Sequence, residues 1–127
     1  MAGERILLVE DNPMNRRVVQ FILKSQGYIV LEAKNGLEAL ELVKVHLPDL
    51  ILMDLQLPGM DGFTTTRIIK EDATTKDIPV VALTAYAMRG DAERAVEAGC
   101  DGYITKPIDA DEFPKLVASY LKRKGRE

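Results

Sequence analysis

The chain has 127 residues, 46% hydrophobic and 29% charged, with 17 basic against 20 acidic side chains and a net charge of −3. That is the length of one domain, enough for a core that needs neither disulfides nor a structural metal. The charge balance gives no bulk attraction for nucleic acid or an anionic membrane surface. Cys100 is the single cysteine, so neither a disulfide framework nor a multi-thiolate metal site can form. No apolar run approaches the ~20 residues of a membrane span, and the N-terminus enters a strand-like run without a signal-peptide layout. One cytoplasmic domain over 1–127, with its core at about 4–122, is expected.

The first apolar run, residues 6–9, reads as a strand. Asn12-Pro13 then reads as an N-cap with proline at the first helical position, opening a helix with a stripe of Val18, Phe21 and Ile22. The second strand is expected at 29–33. Asn35-Gly36 alone signals a hairpin, but Leu37-Glu38-Ala39-Leu40-Glu41-Leu42 is helical, so the dipeptide is a turn into a helix with Leu37, Leu40 and Val43 inward. His46 lies at the end of that helix and stays on the surface. Strands three, four and five are expected at 50–53, 80–83 and 103–105. Asp109 and Glu112 resemble a capping box for a last helix whose stripe is Phe113, Leu116, Val117, Tyr120 and Leu121. Lys122-Arg123-Lys124 is its solvated end.

The five runs start at 6, 29, 50, 80 and 103, too far apart for hairpins and wide enough for helical crossovers. Runs one, three and four are continuously hydrophobic, as strands covered on both faces must be. The fold class is therefore α/β, (βα)5: five parallel strands with helices on both faces.

Such sheets bind ligands at the C-terminal edge of the strands. Strand one runs into Glu10-Asp11, strand three ends at Asp54, strand four at Thr84, and strand five runs into Lys106-Pro107. An acid inside Leu-Ile-Leu-Met-Asp54-Leu interrupts a buried run, and unpaired burial is expensive. If strands one and three are neighbours, three carboxylates converge. Their mutual repulsion calls for a hard divalent cation, and magnesium fits because it takes a few carboxylate oxygens and keeps several waters. With Lys106 as a point charge and Thr84 as a hydroxyl donor, the set describes phosphoryl transfer onto an Asp nucleophile. Each residue alone has a plainer reading: Glu10-Asp11 as charges at a helix start, Lys106 as a solvated surface residue, Cys100 as a small filler. The conjunction at one edge carries the inference.

Ile-Leu-Leu-Val-Glu10-Asp11-Asn-Pro, Leu-Ile-Leu-Met-Asp54-Leu-Gln-Leu-Pro-Gly-Met-Asp-Gly, Val-Val-Ala-Leu-Thr84-Ala and Tyr103-Ile-Thr-Lys106-Pro107 together resemble the receiver domain of bacterial two-component response regulators, over essentially the whole chain. The resemblance implies a flavodoxin-like sheet in the order 2-1-3-4-5. It implies Asp54 as phosphoacceptor, with phosphohistidine on a sensor histidine kinase or histidine phosphotransfer protein as donor. Magnesium, for which manganese can substitute, would be held by Glu10, Asp11, Asp54 and the backbone carbonyl of Gln56. Lys106 would pair with the phosphoryl oxygens, Thr84 would bond to them on activation, and Tyr103 would be the aromatic switch. A protein target would bind the face of helix four, strand five and helix five. Gln56 and Tyr86 would control access of water to the acyl phosphate, and the peptide before Pro107 would be cis. No nucleic acid or membrane is expected as a partner. The end of the chain six residues after Leu121 suggests a single-domain regulator resembling the chemotaxis regulators, with a receiver of a hybrid kinase or phosphorelay as the alternative.

Three rivals fit worse. A dehalogenase-type phosphatase would carry its nucleophile in an Asp-x-Asp pair after strand one, where this chain has Glu-Asp-Asn-Pro. A flavin module would need a Ser/Thr-rich phosphate loop there, and Glu10-Asp11 repel phosphate. A non-phosphorylated scaffold would have no need of both Asp54 and Lys106.

Overall fold

The computed structural model describes residues 3–84, 89–106 and 108–125. In chain order the elements are β1 (Arg5–Val9), α1 (Pro13–Ser25), β2 (Ile29–Ala33), α2 (Gly36–His46), β3 (Leu50–Asp54), α3 (Gly62–Glu71), β4 (Val80–Thr84), α4 (Arg89–Ala98), β5 (Gly102–Thr105) and α5 (Glu112–Gly125). All strand pairings are parallel, and the sheet order is β2-β1-β3-β4-β5. The expected (βα)5 architecture and order are therefore present. The five strands fall where the apolar runs placed them, each within one residue of the expected bounds.

Alternation along the strands divides the core in two. Ile6, Leu8, Leu50, Leu52, Val81 and Leu83 pack with α1 and α5 through Val19, Leu23, Phe113 and Val117. Leu7, Val9, Ile51, Met53, Val80 and Ala82 face the other way, onto α2, α3 and α4 through Ala39, Val43, Phe63, Ile69, Ala95 and Ala98. Every residue of β3 and β4 is buried, as the unbroken hydrophobicity of these central strands requires. β2, at the sheet edge, is partly exposed.

Two helix phases differ from the expectation. In α1 the residues that face the sheet are Val19 and Leu23, with Ile22 partly buried, while Val18 is 47% and Phe21 73% exposed. This helix carries more apolar side chains than one stripe holds, so its sequence is compatible with more than one rotation. The phase is fixed by the start: Asn12 Oδ1 accepts from the N–H groups of Met14 and Asn15, and Pro13 follows as the first helical residue. In α2 Ala39 and Val43 lie against the sheet and Gly36 against Thr65 of α3 and Met60 of the loop before it, while Leu37 is 64% exposed and Leu40 only packs at the margin. Close approach favours small residues that a ranking by hydrophobicity passes over. Asn35 caps α2 by accepting the Glu38 N–H at 2.9 Å, which confirms the turn-into-helix reading over the hairpin. In α5 Phe113 and Val117 are buried and Leu116 is exposed, and Asp109 Oδ1 accepts from the N–H groups of Asp111 and Glu112.

The edge at the N-terminal ends of the strands is tied by Lys70 of α3. Its ammonium donates to the carbonyls of Lys76 and Ile78 and to Asp101 Oδ2, which also accepts the Val80 N–H. That satisfied cluster holds α3, β4 and the turn before β5 together, and leaves the opposite edge as the place where polar groups converge. Among the described residues, no helix is long and apolar enough to cross a membrane.

Candidate functional site

Parallel pairing brings the strand ends to one edge. β1 and β3 are in register with Val9 opposite Met53, and β3 and β4 with Asp54 opposite Leu83. The chain leaves β1 as Glu10-Asp11 one step from the end of β3, where Asp54 sits. Backbone bonds fix the exits: Glu10 N–H donates to Ala33 O at 3.0 Å, and Lys106 N–H to Thr84 O at 2.7 Å. Glu10, Asp54 and Thr84 are buried, Asp11 is exposed, and the Lys106 side chain is 16% exposed.

Lys106 joins the two buried acids. Its Nζ lies 2.9 Å from Glu10 Oε1 and 3.5 Å from Asp54 Oδ2. Asp54 Oδ1 accepts the Gln56 N–H at 3.0 Å, and Glu10 Oε2 accepts the Asn12 N–H at 3.3 Å. Burial pushes the Asp54 carboxyl up to about 6; the Gln56 N–H and Lys106 oppose the rise, and the charge of Glu10 adds to it. Glu10, Asp11 and Asp54 each offer an oxygen within 4.8 Å of the other two.

This donor set fits a divalent cation. Three carboxylates cluster, the two buried ones share a single ammonium, and hard oxygen donors at that spacing match magnesium. Of the residues expected at the site, Glu10, Asp11, Asp54 and Lys106 are thus brought together. Gln56 follows Asp54 in the loop with its N–H on the carboxylate, and Thr84 ends the neighbouring strand. Tyr103 stands apart. It pairs with Ala82 rather than Thr84, is 42% exposed, and lines a groove of about 380 Å³ with Phe113, Glu112 and Leu116. Tyr86, Pro107 and the side chains of Lys122, Arg123 and Lys124 lie outside the described residues.

A profile of the response regulator receiver domain matches residues 6–118. The chain belongs to that family. It is 45% identical over 116 residues to the polar-differentiation response regulator DivK of Brucella anthropi, covering 91% of this chain and 94% of that protein, and 44% identical to the DivK of Brucella ovis over the same shares. Among solved structures, the receiver domain of a sensor histidine kinase from Pseudomonas aeruginosa has a TM-score of 0.89 at 38% identity, covering 95% of this chain and 99% of that one. That crystal structure has a magnesium ion coordinated in its active-site cleft. The receiver domain of a histidine kinase from Syntrophus aciditrophicus has a TM-score of 0.90 at 34% identity, covering 98% and 95%. This receiver domain is accordingly a two-component signalling module, and its acidic cluster is the kind of pocket in which receivers bind magnesium.

Two supporting residues were not singled out from the sequence. Arg16, on the first turn of α1, donates to the carbonyls of Glu10 at 2.9 Å and Asp11 at 3.2 Å, and its Nε lies 3.6 Å from Glu32 Oε1. It fixes the backbone that presents two acids, and nothing in its composition distinguishes it from the neighbouring Arg17. Gly62 was visible only as part of a motif. A Cβ there would run into Asp54 O and lie 2.8 Å from Leu55 Cα, both backbone atoms that cannot step aside. Gly62→Ala is expected to push α3 off the loop after β3, lowering stability by about 1–3 kcal/mol and weakening magnesium binding. Thermal melts with and without magnesium measure both; an unchanged melt would mean that the loop yields freely.

Proposed function

We propose that Asp54 is the phosphoacceptor, taking the phosphoryl group from a phosphohistidine on a sensor histidine kinase or histidine phosphotransfer protein. One observation carries the reading: the buried Asp54 carboxylate has Lys106 at 3.5 Å on one oxygen and a backbone N–H on the other, with Glu10 and Asp11 in the same cluster. The ionised oxygen attacks phosphorus, the P–N bond of the donor breaks, and imidazole leaves. Lys106 supplies a fixed positive charge beside the phosphoryl oxygens. Bound magnesium, or manganese in its place, would be held by Glu10, Asp11, Asp54 and the Gln56 carbonyl, and would offset the charge of acids and phosphoryl group together. The protein is not a turnover enzyme in this reading; it promotes its own phosphorylation and the later hydrolysis of the acyl phosphate. A +80 Da adduct, roughly the mass of one phosphoryl group, after incubation with magnesium and acetyl phosphate is the direct test, and its persistence in Asp54→Asn would falsify the assignment.

Signalling is then a contact made by the α4–β5–α5 face, where Tyr103 is half-exposed beside the groove on α5. Thr84 links the chemistry to that face, its hydroxyl moving to the phosphoryl group and Tyr103 turning inward behind it. A hydrogen bond to a charged group is worth about 1.5–3 kcal/mol, so Thr84→Ala reduces the active fraction by roughly ten- to a hundredfold. The variant still accepts phosphate. NMR of the Tyr103 ring at equal phosphorylation measures the difference, and equal responses would remove Thr84 from the switch. Similarity to the response regulator DivK supports the regulator reading, and action in the cytoplasm through protein contacts belongs to the same proposal. Similarity to histidine-kinase receivers supports the second reading, a receiver serving a hybrid kinase or relay, with the same chemistry at Asp54.

A further inference from the structure

We propose that Arg94 is a positioning residue for the phosphorylated state: it leaves the Phe63 ring to pair with the phosphoryl group on Asp54, and so prolongs the life of that group. The inference rests on the phosphoacceptor reading above. α4 carries Arg94 to α3, where the guanidinium carbon lies 4.0 Å from the centroid of the Phe63 ring. The two side chains line a cavity of about 220 Å³ with Leu55, Gln56, Asp61 and Thr84. That cavity adjoins the phosphoacceptor on the side of Gln56, whose N–H holds Asp54 Oδ1, whereas Lys106 approaches Oδ2.

Charge supplies the argument. Phosphorylation replaces the single charge of the Asp54 carboxylate by close to two on the phosphoryl oxygens, a net gain of about one, and Lys106 is already shared with Glu10 at 2.9 Å. Arg94 pairs with no carboxylate among the described residues. Asp61, the acid in the same cavity, has Oδ1 committed to the Thr64 N–H at 2.7 Å as the cap of α3. Among the described residues the cavity wall therefore presents one cation without an ion-pair partner to a new dianion. Arg94 is itself exposed although the ring beneath it is buried, and a cation–π contact whose cation stays in solvent is weak, while a planar guanidinium pairs with phosphoryl oxygens through two parallel hydrogen bonds. In hydrolysis, water attacks phosphorus, the bond to the Asp54 oxygen breaks, the carboxylate leaves and the proton goes to solvent. A guanidinium drawn across the cavity occupies one route by which that water arrives.

The test compares wild type, Arg94→Gln and Arg94→Lys, each phosphorylated with acetyl phosphate and magnesium, freed of donor and followed by mass spectrometry. Arg94→Gln is expected to lose the group roughly ten- to a hundredfold faster, as deletion of one charge-assisted hydrogen bond requires, with Arg94→Lys between it and wild type. Melting of the unphosphorylated protein and its magnesium affinity stay unchanged, which a merely structural role for Arg94 would not allow. In ¹⁵N-labelled wild type, the Arg94 Nε–Hε resonance shifts when beryllofluoride, a phosphoryl mimic, is added. Decay of Arg94→Gln at or below the wild-type rate, or a resonance that does not move, overturns the proposal. Absence of any adduct on wild type overturns the phosphoacceptor reading and this one with it, whereas a normal adduct with unchanged decay overturns the role of Arg94 alone.

Discussion

Asp54→Asn is expected to abolish phosphoryl acceptance and, in the absence of magnesium, to melt at a higher temperature than wild type. Both effects come from one carboxylate. Asparagine has nearly the same shape and keeps an oxygen for the Gln56 N–H, so the loop after β3 is held as before. It has no anion to attack phosphorus and contributes no charge to the acidic cluster. The stability gain follows from the raised proton affinity, mainly from burial, that puts Asp54 at about 6 in the folded protein against an ordinary value of 3.8. Folding thus favours its protonated form. That contribution is fully present below about pH 4, is lost as pH rises through about 6, and leaves ionised Asp54 as a cost of about 2–3 kcal/mol at neutral pH. The variant escapes that cost. Its advantage should be largest above pH 6, roughly 5–10 °C in melting temperature for a domain of this size, and should vanish near pH 4. Magnesium should stabilise wild type more than the variant and narrow the gap. Melting curves across pH 4–8, with magnesium and with a chelator, measure all of this; a variant that melts lower than wild type at pH 7.5 without magnesium would refute the account. The residue on which function depends is, in the empty protein, one that folding would discard.

Asp54 could be found from sequence because it breaks a rule: an acid in an unbroken apolar strand needs a reason to be there. The five strands were legible for a related cause, since continuous hydrophobicity over a few residues leaves few alternatives to burial on both faces. Helix rotation was harder to read. α1 offers Met14, Val18, Val19, Phe21, Ile22 and Leu23, and only the cap at Asn12-Pro13 and the fit to the sheet select Val19 and Leu23. Phe21 and Met14 are each 73% exposed, so hydrophobic character alone did not indicate direction. The supporting residues of the site left less trace still. Arg16 acts on backbone carbonyls, Gly62 acts by having no side chain, and Arg94 meets Phe63 across 31 positions of sequence. A residue's chemistry is written in its own identity, whereas its use as a brace or a perch depends on what the fold brings beside it.

Lys106→Met tests how the cluster is held when no metal is bound. The ammonium lies 2.9 Å from an oxygen of Glu10, a residue only 1% exposed, and 3.5 Å from Asp54. Methionine keeps the length and apolar stem but removes the cation, leaving two buried carboxylates without their shared counter-charge. Removing one partner of a buried ion pair costs about 3–5 kcal/mol, of which proton uptake by Asp54 returns a part. Lys106 lowers the proton affinity of Asp54 in wild type. In the variant that affinity therefore rises further, and protonation restores stability as pH falls. The expected melting curve of Lys106→Met is depressed at pH 7.5, recovers toward wild type near pH 5, and recovers at pH 7.5 when magnesium is added, because a divalent ion at Glu10, Asp11 and Asp54 supplies the missing positive charge. Magnesium should accordingly raise the melting temperature of the variant more than that of wild type. Should the variant match wild type at pH 7.5 in a chelator, Lys106 would be a solvated surface charge after all. Should it be depressed equally with and without magnesium, the loss would be one of packing, and the three carboxylates would not share a cation. The combined pattern, opposite in sign to that of Asp54→Asn in the empty protein, is what distinguishes a charge cluster balanced by its lysine from acids that merely happen to sit close together.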